Sequence, residues 1–220
     1  MRLFLQITVF SLFFNLIACT STHTQQEASQ VQPLKSIEKV VLIGDFNVKS
    51  EFSDEKVFDC LADGILDINP KLAIIKPEEF RNQLFPYFTG STSPHTPEEY
   101  KALLNNPLVN RRIKAMGVRY LITLIESKTG TDYNGGIVCG GSYGGGGCIG
   151  LGLWDRNTRL DAQIWNLQSG NMDGNVQTQA EGTGVMPALL LPIPLYFPAT
   201  EAATCQELGE KLGNILSGKT

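Results

Sequence analysis

Val118-Arg119-Tyr120-Leu121-Ile122-Thr123-Leu124-Ile125 is the stretch on which the fold turns. Its β-branched and aromatic residues read as a buried strand. Just before it, Leu108, Val109, Ile113 and Met116 recur at helical spacing, and Gly117 can take the left-handed conformation that ends a helix. A helix that delivers the chain directly into a buried strand is the unit of a sheet covered by helices.

Toward the N-terminus the same logic repeats. Thr96-Pro97-Glu98-Glu99 and Pro77-Glu78-Glu79 open helices with proline where its missing donor costs least, Pro86 ends the earlier one, and Pro107 divides the later helical region. Leu72 to Ile75 reads as a strand. Ser53-Asp54-Glu55 starts a helix in which Val57, Leu61, Ile65 and Ile68 share a face until Asn69-Pro70. Lys39 to Gly44 is the first strand, leading into the turn Gly44-Asp45-Phe46-Asn47.

Toward the C-terminus, residues 129 to 156 are glycine-rich, carry Cys139, Cys148 and Trp154, and read as an elaborated loop. Thr158 to Leu167 alternates as a strand, Gln168-Ser169-Gly170-Asn171 is its turn, and Val176 to Ala180 returns as a second strand that Gly182-Thr183-Gly184 should break. Met186 to Ala199 is apolar but holds four prolines, which exclude a helix or a central strand, so it is expected to fold over the sheet. A final helix from Thr200 places Cys205, Leu208, Leu212 and Ile215 on one face. The order predicts an α/β (α+β) fold: a single mixed β-sheet with helices packed on it, the first and last helices adjacent.

At the N-terminus, Arg2 precedes an apolar run that closes at Leu16-Ile17-Ala18-Cys19, which resembles a bacterial lipobox. The run is shorter than the roughly 20 residues of a spanning helix. The resemblance implies a signal peptide over 1–18, a diacylglycerol on the Cys19 thiol, membrane attachment through that anchor, and, with Thr20 next, sorting to the outer membrane with the domain facing the periplasm. Residues 19–36 are polar and expected to form a flexible tether reaching on the order of 20 Å, with 37–220 a single domain.

Eighteen Lys and Arg stand against 22 Asp and Glu, a formal net charge of −4. No basic cluster suggests nucleic acid as a partner. Four cysteines besides Cys19, in an oxidising compartment, read as disulfides, and four cysteines allow three connectivities. Locality favours Cys139 with Cys148, across eight mostly glycine residues, leaving Cys60 with Cys205 and requiring the first and last helices to be neighbours.

Val40 to Phe46, Ala115 to Ile122, and Leu160 to Gly170 with its Trp165-Asn166-Leu167-Gln168-Ser169-Gly170 hairpin together resemble a broad group of periplasmic domains. That group includes the curli-secretion channel lipoprotein, the penicillin-binding-protein activator lipoprotein and the N-terminal domain of the Tol propeller protein. The resemblance implies a non-enzymatic fold used in envelope assembly or regulation. The cysteine-framed glycine stretch and the proline-rich segment depart from it.

Catalytic patterns fail on their partners. Gly140-Gly141-Ser142-Tyr143-Gly144 matches a nucleophile elbow, yet the only histidines, His23 and His95, precede Ser142, whereas that fold places the histidine after it. Gly145 to Gly150 matches a dinucleotide glycine pattern without the strand-loop-helix unit that gives it meaning. No Cys-x-x-Cys or histidine pair suggests metal, Glu78-Glu79 and Glu98-Glu99 suit helix first turns, and Asp45 suits a turn. The expected function is therefore non-enzymatic, without cofactor: a lipid-anchored envelope protein that binds a protein partner. Alternatives are a subunit of an outer-membrane pore or secretion assembly, against which Met186 to Ala199 is too short and too proline-rich for a spanning hairpin, and a small-ligand-binding domain with its crevice at the strand ends.

Overall fold

A computed structural model describes residues 20–28, 30–44, 54–89, 92–94, 96–142, 145–192 and 199–219. Along the chain run β1 (Ser21–Glu27), β2 (Lys39–Gly44), α1 (Asp54–Ile68), β3 (Ala73–Ile75), α2 (Pro77–Leu84), α3 (Pro97–Leu104), α4 (Pro107–Met116), β4 (Val118–Ser142), β5 (Gly145–Asn166), β6 (Asn171–Pro192) and α5 (Thr200–Ser217). The six strands form one sheet in the order β1-β6-β5-β4-β2-β3. β2 runs parallel to both β3 and β4. The expected mixed sheet with helices on it is the architecture found.

The residues fall into two compact units. The larger holds residues 22–129, 158–180 and 201–219, and in it the sheet is buried on both faces. Val40, Leu42, Tyr120, Ile122, Leu160, Ala162, Ile164 and Val176 meet α1 and α5 on one side. Val41, Ile43, Leu121 and Trp165 meet α2, α3 and α4 on the other. The alternation of Val40 to Ile43 between two cores explains why every residue of that run is apolar.

Local chemistry sets the helix ends as the sequence suggests. Thr96 and Glu99 close a reciprocal capping box on α3, Asn106 caps α4 through the Leu108 N–H, and Gly117 ends α4 at φ 73°. Trp165 stacks on Tyr100 at 4.2 Å between ring centroids, and its indole N–H donates to Thr123 Oγ1 at 3.1 Å. On the opposite face α1 and α5 cross without side chains between them: a Cβ on Gly64 would lie 3.0 Å from the Gly209 Cα. The disulfide Cys60–Cys205 bridges the same two helices.

Two expectations change. Residues 20–36 are not a leash: β1 joins the sheet at the edge of β6, Leu34 N–H donates to Leu216 O at 2.8 Å, and the Gln32 N–H donates to Tyr120 Oη at 2.9 Å. An edge strand is held by main-chain hydrogen bonds and leaves its side chains in water, so it needs no apolar pattern. Second, the domain expected over 37–220 divides into two units, and β4, β5 and β6 each contribute residues to both.

Candidate functional site

The smaller unit holds residues 20–21, 130–157 and 181–200 among the described residues, and it is where the glycine-rich stretch lies. That stretch is no loop. Gly130 to Ser142 belongs to β4 and Gly145 to Asn157 to β5, so the chain goes out and returns as a hairpin. β6 likewise continues through Gly182-Thr183-Gly184 to Pro192. The glycines meant to break it admit a ring: a Cβ on Gly184 would fall 2.1 Å from Trp154, whose side chain is 8% exposed. Glycine there allows an indole to lie flat on the neighbouring backbone.

Within this ribbon the polar contacts gather at one end. Asp155 accepts hydrogen bonds from Thr183 Oγ1 at 2.6 Å and Asn134 Nδ2 at 3.3 Å, and Asn157 Nδ2 donates to Glu181 at 3.3 Å. Beyond them charge disappears. The ten residues Tyr133 to Ser142, the ten from Gly145 to Trp154 and the eleven from Gly182 to Pro192 contain no Asp, Glu, Lys or Arg. In β5, Ile149, Leu151 and Leu153 alternate with Cys148, Gly150 and Gly152, and the disulfide Cys139–Cys148 ties β5 to β4. Tyr133 is 81% exposed, Val138 72%, Ile149 70% and Leu151 47%.

The ribbon's edges are open among the described residues. The paired residues of β2 and β4 end at Gly44 and Leu124, so nothing described continues along β4 from Gly130. On the other side β1 has seven residues against the 22 of β6.

The catalytic patterns read from the sequence do not assemble. Ser142 ends a strand that is followed by another strand, so no elbow between strand and helix exists, and Gly145 to Gly150 lies inside β5. Glu78, Glu79, Glu98 and Glu99 occupy first turns of α2 and α3. Cys19, Asp45 and His95 lie outside the described residues. Among the described residues no group of three His, Cys, Asp or Glu could hold a metal, and no helix is long and apolar enough to cross a membrane. The disulfides join Cys139 to Cys148 and Cys60 to Cys205.

A charged cluster in the larger unit is partly buried. Arg119 Nη1 donates to both oxygens of Glu38, at 2.9 and 3.1 Å, and Nη2 donates to Gln32 Oε1 at 2.8 Å. Burial pushes the Glu38 carboxyl up, but the Lys35 N–H and the Arg119 guanidinium outweigh it and hold it below its usual value. The cluster fastens the segment before β2 to β4.

No family model matches the chain, and no curated protein matches it. Among solved structures it is similar to a PelC dodecamer from Paraburkholderia phytofirmans, at 8% identity over 90% of this chain and 99% of that one, with a TM-score of 0.43. A second crystal form of that dodecamer gives 8% identity over 90% and 98%, with a TM-score of 0.42.

Proposed function

We propose that this is a lipid-anchored, non-enzymatic envelope protein that acts as a subunit of an outer-membrane assembly, with its three-stranded ribbon entering the bilayer. One observation carries the reading: three adjacent strands each have ten or eleven consecutive uncharged residues. A transmembrane strand needs about 9 to 11. At a rise of about 3.3 Å and a tilt of about 45°, ten residues cover about 23 Å, close to the roughly 25 Å apolar band of outer-membrane barrels.

The details agree with that depth. The exposed Tyr133 stands beside the charged end formed by Asp132, Asp155, Arg156 and Glu181, as aromatic residues do at a membrane interface. Ser21 belongs to the same unit. A lipidated Cys19 would therefore adjoin Thr20, which belongs to the ribbon's own unit. The hairpin of β4 and β5 supplies the length that Met186 to Ala199 lacks for a spanning hairpin. Open strand edges are not tolerated in hydrocarbon, so the ribbon needs partner strands on both sides, and the protein partner expected from the sequence is a neighbouring subunit.

A photoreactive side chain at Ile149 in mature protein reconstituted into vesicles should capture acyl chains, while the same group at Leu108 should not. Absence of lipid adducts at both positions, with the protein still bound to vesicles, would reduce the ribbon to a water-exposed surface.

A further inference from the structure

In the larger unit the α1–α5 layer is acidic, and on the opposite layer α4 is basic. On one side of the sheet, α1 and α5 hold Asp59, Asp63 and Asp67 together with Glu201, Glu207 and Glu210, against Lys56 and Lys211. Asp59, Asp63 and Asp67 are exposed and four residues apart, so they form one stripe along α1, about 12 Å long at 1.5 Å per residue. On the other side α4 holds Arg111, Arg112 and Lys114 and no acid. The acids of that layer, Glu78 and Glu79 of α2 and Glu98 and Glu99 of α3, lie in the first turns of their helices, and those of α3 are away from the end that meets α4.

Where the C-terminal end of α3 meets α4, a groove of about 490 Å³ is lined by Leu104, Asn105, Pro107, Asn110, Arg111 and Lys114. Arg111 and Lys114 are exposed, and Leu108, next to the groove, is 47% exposed. Arg112, by contrast, is engaged by the Gln83 and Phe85 carbonyls. The groove thus offers two free-standing cations and apolar contact, and the chain's own opposite layer offers a row of carboxylates at matching scale.

We propose that the groove between α3 and α4 receives the Asp59–Asp63–Asp67 face of a second copy of this chain, so that copies join head to tail. This rests on the reading of the protein as an assembling subunit and names the contact outside the membrane. The geometry also sets the symmetry. The two surfaces lie on opposite sides of the sheet, so a two-fold pair cannot bury both in one interface; a heterologous contact leads to a ring or a filament.

Charge reversal tests it in the full mature protein in detergent, with mass read by light scattering. Wild type should exceed one protomer and fall toward it between about 0.1 and about 1 M salt, as the screening length shrinks from about 10 to about 3 Å. Arg111→Glu with Lys114→Glu, and separately Asp59→Lys with Asp63→Lys, should each weaken association about tenfold or more, turning attraction into repulsion. Neither should alter the thermal transition. Mixing the two variants in equal amounts should restore the assembly, because each reversed surface then finds its complement. Wild type at protomer mass throughout, a reversed variant that stays assembled, or a mixture that stays apart would each overturn the proposal. If a reversed variant fails to fold, Arg111→Gln with Lys114→Gln replaces it, and a salt dependence no weaker than that of wild type overturns the idea. Lipid capture at Ile149 reads the ribbon independently: captured lipid with lost assembly in the reversed variants isolates this contact, and wild type that assembles without capturing lipid refutes the ribbon instead.

Discussion

The two units use glycine and cysteine for different ends. In the larger one, Gly64 and Gly209 bring two helix backbones together and Cys60–Cys205 ties elements 145 residues apart in sequence. In the smaller one, Gly140 has open space where a side chain would be, and Cys139–Cys148 joins neighbours nine residues apart. The first arrangement holds a dense core between two helical layers; the second gives a ribbon whose outer residues are unusually apolar for water. A bridge or a glycine should therefore cost much in one unit and little in the other.

The largest contrast lies in the disulfides. Replacing Cys60 and Cys205 by alanine releases a long loop, for which the chain-entropy model gives about 5 kcal/mol, against about 2.5 kcal/mol for Cys139 and Cys148. Calorimetry of both variants should show the long bridge lowering the main transition by roughly twice as much. An equal drop would mean that loop length does not set what each bridge contributes.

Glycine substitutions sharpen the comparison at smaller scale. Gly64→Val forces the α1–α5 crossing open and should cost about 3 kcal/mol in denaturant melts. Gly140→Val should stay within about 0.5 kcal/mol, as for surface changes away from special features. A costly Gly140→Val in detergent-free protein would show the ribbon already packed against something before it meets lipid.

This contrast also explains what the sequence could reveal. Val118 to Ile125, the capped helices and the Trp165 hairpin were legible because each bears its own signal: apolar periodicity, a Thr–Glu box, a left-handed glycine. The hairpin from Gly130 to Asn157 was not, since glycine leaves strand alternation without side chains to display it, and Gly184 looked like a breaker when it is a seat for Trp154. Absence of charge over ten-residue windows was the signal available there. β1 was hidden for the converse reason: Ser21 to Glu27 is polar throughout, and its place is set by the edge of β6 rather than by its side chains. Locality in sequence pairs Cys139 with Cys148 and leaves Cys60 with Cys205, and the same two bridges stand in the structure.

The smallest expected effect concerns how the segment before β2 is held to the core. Glu38 and Arg119 are 12% and 9% exposed at their side chains, and hydrogen bonds to charged groups contribute about 1.5 to 3 kcal/mol when so sheltered. Because Arg119 keeps Gln32 as a second acceptor, Glu38→Gln should cost toward the lower end, about 1.5 kcal/mol. The sign with pH follows from the carboxyl being held below its ordinary value of 4.5. The folded state favours the ionised form, so the contribution is complete above 4.5 and is lost as pH falls through the lower, folded value. Wild type and Glu38→Gln should thus differ at pH 7 and converge in acid. A gap that persists after the carboxyl is protonated would assign the loss to geometry in the Gln32–Tyr120 clasp rather than to the ion pair.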